Sequence, residues 1–96
     1  LHGRLEVLQL DYCAKIGDDL FSYITTKCPN LKVLSLRGCS SLTAIKGSFF
    51  NPLLEFPCLT TLDVSNCINL NTLQIRAPSL QTLVGKHNPK LTKVEY

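Results

Sequence analysis

One nine-residue pattern occurs four times in this 96-residue chain and constrains its fold more than any other feature. The pattern is L-x-x-L-x-[LV]-x-x-C, where x is any residue. Its copies begin at residues 5, 31, 59 and 80, which are 26, 28 and 21 residues apart; the last copy has Gly85 at its sixth position and Asn88 at its ninth. Because self-similarity at such spacing is typical of repeat architectures, we interpret each copy as one structural unit stacked on the next.

Each copy should form a short strand, because the fourth and sixth residues then share one face while the residues between them point the other way. Parallel strands need a long return path, and roughly 15 residues between copies supply it. The sequence therefore predicts an α/β fold in one domain over 1–96. The expected form is a right-handed solenoid, a horseshoe fragment with about four parallel strands in its concave sheet and a mixed helical and irregular convex side.

The return paths differ from one another. In the first, apolar residues recur every four positions, which predicts a helix of about ten residues; they are Ile16, Leu20, Ile24 and Cys28. Asp18 or Asp19 is the expected N-cap of this helix. The third path, from Leu70 to Ile75, repeats the strand pattern and should be extended. Two successive 21-residue offsets indicate that the last coil and a half is thinner than the first two.

The second return path should be irregular, because Pro52 and Pro57 leave room for little more than one helical turn. Its aromatic residues, Phe49, Phe50 and Phe56, are expected to pack against the core. At the ninth position of each copy the chain must turn inward. A cysteine or asparagine there can donate a buried hydrogen bond to a carbonyl of a neighbouring coil.

The segment Leu31-Lys-Val-Leu-Ser-Leu-Arg-Gly-Cys39, preceded by Cys28-Pro-Asn and joined by Cys13-x-x-Ile16, resembles the cysteine-containing leucine-rich repeats of F-box proteins. The resemblance extends over nearly the whole chain. It implies a protein-binding module, the substrate-recognition arm of an F-box-like ubiquitin-ligase adaptor, although no F-box is visible here. Similar repeats occur in bacterial effectors and plant signalling receptors. Gly85 and the absence of a helix pattern in the later return paths depart from the family's regular geometry.

The residues between the leucines should face outward along the concave sheet and form the candidate partner-binding surface. The expected contact residues are Gln9, Asp11, Tyr12, Ser35, Arg37, Asp63, Ser65, Asn66, Lys86 and His87. Asp11 should lie beside Arg37, and the two side chains could either grip a partner or neutralise each other. Tyr12 has the amphipathic ring that interface hot spots favour.

A catalytic site is not expected. Cys67 and His87 could be imagined as a nucleophile and a base, but the repeat directs the first inward and the second outward. The five cysteines form no C-x-x-C motif, and three share the ninth position, so we expect reduced, buried thiols and neither disulfides nor a metal site. No cofactor is expected. Reduced thiols suit a cytoplasmic or nuclear protein.

Protein is the expected class of partner. Nucleic acid is a weaker alternative, because Lys32, Arg37, Lys86, Lys90 and Lys93 lack interleaved aromatic residues on which bases could stack. No segment is apolar enough for a membrane span. A third alternative is a purely structural spacer. The apolar stripe runs to both ends and the first residue is Leu1, which indicates an excerpt of a longer chain whose uncapped ends favour self-association.

Overall fold

The computed structural model describes residues 2–48 and 52–96. After a 3-10 turn at His2–Arg4, these ranges contain one α-helix and seven short strands. In chain order the elements are β1 (Val7–Gln9), α1 (Leu20–Lys27), β2 (Val33–Ser35), β3 (Ala44–Ile45), β4 (Thr61–Asp63), β5 (Thr72–Gln74), β6 (Thr82–Val84) and β7 (Lys93–Glu95).

The four copies of the repeat form one parallel sheet in the order β1-β2-β4-β6. Its register aligns the fourth-position leucines of all four copies: Leu8, Leu34, Leu62 and Leu83. The offset between copies in the sequence is therefore the offset between paired residues in the sheet. The prediction of an α/β chain with a parallel sheet of about four strands is confirmed.

Three strands from the return paths form a second parallel sheet in the order β3-β5-β7. Ile45, Leu73 and Val94 are aligned in it. Strand β5 lies in the third return path, where the sequence predicts an extended segment, and that prediction is confirmed. The pairing of β3 and β7 with it was not predicted, because each depends on a neighbour 21 or more residues away.

The core contains the repeat leucines and the apolar side chains of the return paths. Its most completely buried members are Phe21, Ile24, Leu31, Leu34, Leu36, Leu42, Ile45, Leu59, Leu62, Val64, Leu70 and Leu73. Leucines of the first and last copies, such as Leu8 and Leu83, are only partly buried. Burial is therefore deepest in the two middle copies.

Helix α1 has eight residues, fewer than the ten or so predicted. Asp19, one of the two predicted N-cap residues, occupies the N-cap position, but its side chain makes no capping hydrogen bond. The Asp18 carboxylate instead accepts hydrogen bonds from the hydroxyl of Thr43 at 2.6 Å and its backbone N–H at 3.0 Å. A third, from the backbone N–H of Ala44, spans 3.3 Å. Asp18 thus links the first return path to the second, at the point where β3 begins.

In the second return path, Leu54 and Phe56 are buried, whereas Leu53 is 51% exposed. Phe49 and Phe50 lie outside the described residues, so the expected aromatic packing concerns Phe56 alone here. An isolated parallel bridge joins Glu55 to Arg76, and their side chains form an ion pair at 3.4 Å. The second return path is not irregular throughout, because β3 lies in it; from residue 52 to residue 58 it has no helix or strand, as the two prolines predict.

Candidate functional site

The candidate site is the outward face of the β1-β2-β4-β6 sheet, formed by the third, fifth, seventh and eighth residues of each repeat. The alternation of β-strands directs these side chains away from the leucines. Register pairs Gln9 with Ser35, Asp63 and Val84 across the four strands. The row beyond the strand ends is Asp11, Arg37, Ser65 and Lys86, and the last row is Tyr12, Gly38, Asn66 and His87.

Asp11 lies beside Arg37, as predicted, and accepts its backbone N–H, but the Arg37 side chain pairs with Asp63 in β4. Its Nη2 lies 2.7 Å from Oδ2 of Asp63. The hydrogen bond and charge of Asp63 raise the pKa of Arg37 above its ordinary value. The guanidinium remains about half exposed, whereas the Asp63 side chain is 14% exposed. Arg37 is therefore held by its own sheet.

Asp11 acts as an acceptor that ties β1 to β2. Its Oδ1 accepts the hydroxyl of Ser35 at 2.6 Å and the backbone N–H of Arg37 at 3.0 Å. Its Oδ2 accepts the amide of Gln9 at 3.1 Å. Burial alone would raise the pKa of Asp11, but these hydrogen bonds outweigh it, so the pKa lies below its ordinary value. Asp11 is therefore an anion at neutral pH.

Asp63 and Ser65 continue the polar network toward β6. Oδ1 of Asp63 accepts the backbone N–H of Ser65 at 3.0 Å, and Oγ of Ser65 accepts the backbone N–H of Lys86 at 3.2 Å. Burial tends to raise the pKa of Asp63, but hydrogen bonds from Ser65 and Arg37 outweigh it and lower the pKa. Ser65 is 4% exposed, so the expectation that it offers its side chain to a partner is corrected: it is an internal link.

Tyr12 is the most exposed of the large apolar side chains on this face, at 68%, yet its ring is not free. A Cβ placed on Gly38 would lie 2.3 Å from Cδ1 of Tyr12, so the ring rests directly on the glycine. Gly38 also has φ 72°, a left-handed conformation that glycine adopts without strain. We did not predict from the sequence that the Tyr12 ring would rest on Gly38. The available signal was a glycine at the eighth position where other copies have larger residues.

The eighth residue is left-handed in every copy, because the chain turns there before the ninth residue enters the core. Tyr12, Asn66 and His87 have φ 60° without being glycine. Left-handed backbone costs a non-glycine residue about 1 to 2 kcal/mol. Asn66 is half-buried, whereas Tyr12 and His87 are exposed at the two edges of the row. The turn therefore presents the side chains of Tyr12, Asn66 and His87 along the same rim, with Gly38 between the first two.

The ninth-position side chains connect neighbouring copies. Sγ of Cys39 donates to the carbonyl of Leu10 at 3.2 Å, and Sγ of Cys67 donates to the carbonyl of Leu36 at 3.1 Å. Both thiols are fully buried, and burial raises their pKa values. The predicted hydrogen bond from this position to a neighbouring carbonyl is confirmed for these two cysteines. All five cysteines are free thiols.

Asn88 fills the ninth position differently from the expectation. Its Oδ1 accepts the backbone N–H of Cys67 at 2.9 Å. The corresponding backbone N–H groups of Cys13 and Cys39 donate to the sulfur of the ninth-position cysteine in the next copy. Nδ2 of Asn88 is buried and finds no hydrogen-bond partner among the described residues. The expected donation to a carbonyl is therefore wrong for Asn88.

Gly85 leaves space at the sixth position of the fourth copy, as the sequence of the chain predicts. A cavity of about 220 Å³ lies beside it. The cavity is lined by Val64, Leu73, Leu83, Gly85, Leu91 and Val94. A Cβ on Gly85 would be 3.5 Å from Nδ2 of Asn88 and 3.9 Å from Cγ2 of Val64, which are ordinary contacts.

The geometry brings no nucleophile and base together at Cys67 and His87. The thiol of Cys67 is fully buried and bonded to a carbonyl, while the imidazole of His87 is exposed. Over 2–48 and 52–96, no three side chains of histidine, cysteine, aspartate or glutamate are grouped to hold a metal ion. None of the helices described is long and apolar enough to cross a bilayer.

Several of the cations considered for nucleic acid have partners within the chain. Lys32 lies 3.3 Å from Glu6, Arg37 pairs with Asp63, and Lys90 donates to the amide oxygen of Asn69 at 3.0 Å. Lys86 is exposed. Comparisons with protein-family models, with curated proteins and with solved structures gave no match for this chain.

Proposed function

We propose that this chain is a right-handed leucine-rich repeat solenoid whose outward sheet face binds another protein. The repeat template, the parallel register at offsets of 26, 28 and 21 residues and the inward ninth position support the solenoid. Such stacks expose one continuous sheet surface, and solenoids use surfaces of this kind for binding. The outward face of this sheet is the binding surface in our proposal.

The observation that carries the proposal is the position of Tyr12. Its ring is mostly exposed, but Gly38 supports it from below. A supported aromatic ring loses little conformational freedom when a partner covers it, and tyrosine is enriched among residues that dominate binding energy. Val7, 58% exposed, lies on the same strand side and extends the apolar contact area.

The ion pairs of the chain also favour protein over nucleic acid. Arg37 and Lys32 are paired with carboxylates, and Asp11 is an anion on the same face. A phosphate backbone would have to displace these pairs and approach Asp11. Binding to an acidic ligand would lose affinity steeply with added salt, whereas a protein interface with few charges loses much less.

We further propose, from the resemblance of the repeats, that the chain acts as the substrate-recognition arm of an F-box-like ubiquitin-ligase adaptor in the cytoplasm or nucleus. The resemblance alone supports this role. A cellular partner that binds the outward face and becomes more abundant when the chain is depleted would support it. A partner whose abundance is unchanged would leave binding without a degradative role.

A pull-down with matched variants tests protein binding on this face. The face variant combines Tyr12→Ala with Lys86→Glu, two exposed side chains that take no part in the core. Its control combines Tyr96→Ala with Lys46→Glu, which makes the same chemical changes next to β7 and β3. We expect a partner retained by the wild type and the control but lost by the face variant. Equal capture by all three would contradict the assignment, and capture by none would favour a spacer role.

A further inference from the structure

The outward face has opposite charges at its two edges, and this polarity restricts what can lie across it. Asp11 and Tyr12 follow β1 at one edge, while Lys86 and His87 follow β6 at the other. Between the two edges, Arg37 pairs with Asp63 of the preceding row, in β4, and the two charges neutralise each other. The face thus presents an anion with an aromatic ring at one edge and a cation at the other.

The anionic edge can receive a basic side chain. The pKa of Asp11 is lowered, and among the described residues its Oδ2 accepts only the exposed Gln9 amide, which leaves an acceptor position on that oxygen. Beside it, the Tyr12 ring rests one side on Gly38 and is 68% exposed. A carboxylate next to an open aromatic ring suits a lysine or arginine, through an ion pair and a cation–π contact.

The cationic edge can receive a carboxylate. Lys86 is exposed, and its ammonium group forms no ion pair or hydrogen bond within the described part of the chain. Between the edges, Ser35, Gly38 and Ser65 have short side chains that are half-buried or buried, whereas the Arg37 guanidinium is about half exposed and is held against Asp63. The short side chains let a backbone approach the middle of the sheet beside Arg37.

The sheet fixes the spacing of the two contacts. Three strand-to-strand steps separate β1 from β6, and at about 4.8 Å each they amount to roughly 14 Å. An extended chain advances about 3.3 Å per residue, so four residue steps cover this distance. Resting on the proposed protein-binding function, we infer that the outward face binds an extended protein segment with a basic residue and an acidic residue four positions apart, separated by short side chains.

Synthetic peptides can test this inference without knowledge of the natural partner. The spanning peptide is acetyl-Arg-Ser-Gly-Ser-Glu-amide, and its control, acetyl-Arg-Glu-Ser-Gly-Ser-amide, has the same composition with the charges adjacent. Binding is followed by the amide signals of the isotope-labelled protein in NMR titrations. We expect the spanning peptide to perturb residues at both edges, near Tyr12 and Lys86. We expect it to bind about two- to fivefold more tightly than the control, as one exposed ionic contact allows.

A charge reversal makes the test specific to the two edges. In Lys86→Glu, acetyl-Arg-Ser-Gly-Ser-Arg-amide should bind more tightly than the spanning peptide, whereas the wild type should prefer the spanning peptide. Equal affinities of the spanning and adjacent peptides, an unchanged preference in Lys86→Glu, or no perturbation at either edge at millimolar peptide would overturn the inference. The proposed function would survive that result if the pull-down partner is still lost only by the face variant.

Discussion

Gly38 and Gly85 occupy different positions in the repeat and should respond oppositely to the same substitution. Gly38 is left-handed and lies under the ring of Tyr12, so Gly38→Ala should lower the free energy of unfolding by at least about 1 kcal/mol. Gly85 has ordinary space around its Cα, so Gly85→Ala should raise stability by about 0.5 to 1 kcal/mol, since alanine restricts the unfolded chain.

Urea unfolding of both variants checks this pair of predictions. The Tyr12→Ala background is the control, because removing the ring should relieve part of the cost of Gly38→Ala and leave the effect of Gly85→Ala unchanged. A loss of stability in Gly85→Ala would contradict the prediction that a methyl group fits into the space beside this residue. If Gly38→Ala lowers the unfolding free energy equally without the ring, the contact with Tyr12 is not a cause of that loss.

Asn88 should be required for its acceptor oxygen. In Asn88→Ala the backbone N–H of Cys67 loses its partner in a buried position, which should cost about 1 to 3 kcal/mol of unfolding free energy. Asn71→Ala is the matched control, because Asn71 is exposed and its side-chain oxygen accepts, within the described ranges, only the neighbouring Thr72 hydroxyl. Thermal unfolding of both variants is the measurement. Equal effects of the two substitutions would contradict the role given to Asn88.

At the scale of elements, two adjacent aspartates before α1 should contribute unequally. The Asp18 carboxylate accepts three hydrogen bonds from the segment where β3 begins, whereas Asp19 makes no capping bond. Asp18→Ala should therefore cost about 1 to 2 kcal/mol, and Asp19→Ala less than about 0.5 kcal/mol. Chemical denaturation followed by circular dichroism distinguishes them. A larger cost for Asp19→Ala would indicate that it caps the helix after all.

The ion pair of Arg37, just after β2, with Asp63 in β4 should make stability depend on pH in the acidic range. The pKa of Asp63 in the folded chain is below its ordinary value of 3.8, so its stabilising contribution is complete above that value. The contribution is lost as the pH falls through the folded pKa. Between about pH 6 and about pH 3, the wild type should lose more unfolding free energy than Asp63→Asn. Parallel pH profiles for the two proteins would mean that Asp63 is no more stabilised in the folded chain than in the unfolded one.

The elements that sequence predicted well are those determined by local periodicity. Leucine spacing predicted the strands of the first sheet, and the pattern from Leu70 to Ile75 predicted β5. The second sheet escaped prediction because β3 has only two residues and pairs with a strand 28 residues later. The role of Asp18 escaped for a similar reason. Its partner Thr43 is distant in sequence, while the helix start beside it offered a simpler local explanation.

For the molecule as a whole, the repeat predicted which residues lie on the outward face, but it did not predict the contacts among their side chains. Alternation predicted which residues lie between the leucines. It did not predict that Arg37 turns toward Asp63, that Ser65 is covered, or that Tyr12 rests on Gly38, because these depend on side-chain conformations across strands. Those contacts divide the face into a centre whose polar groups bond to one another and two chemically distinct edges.

Whether the outward face contacts a partner can be measured directly by site-specific photo-cross-linking. A photoreactive phenylalanine analogue replaces Tyr12 in one protein and Tyr96, beside the second sheet, in another. Both proteins are irradiated in cell lysate with and without excess unlabelled wild type. We expect a cross-linked protein from position 12 that the wild type competes away, and no such product from position 96. A competed product from position 96 alone would contradict this expectation and place binding beside the second sheet.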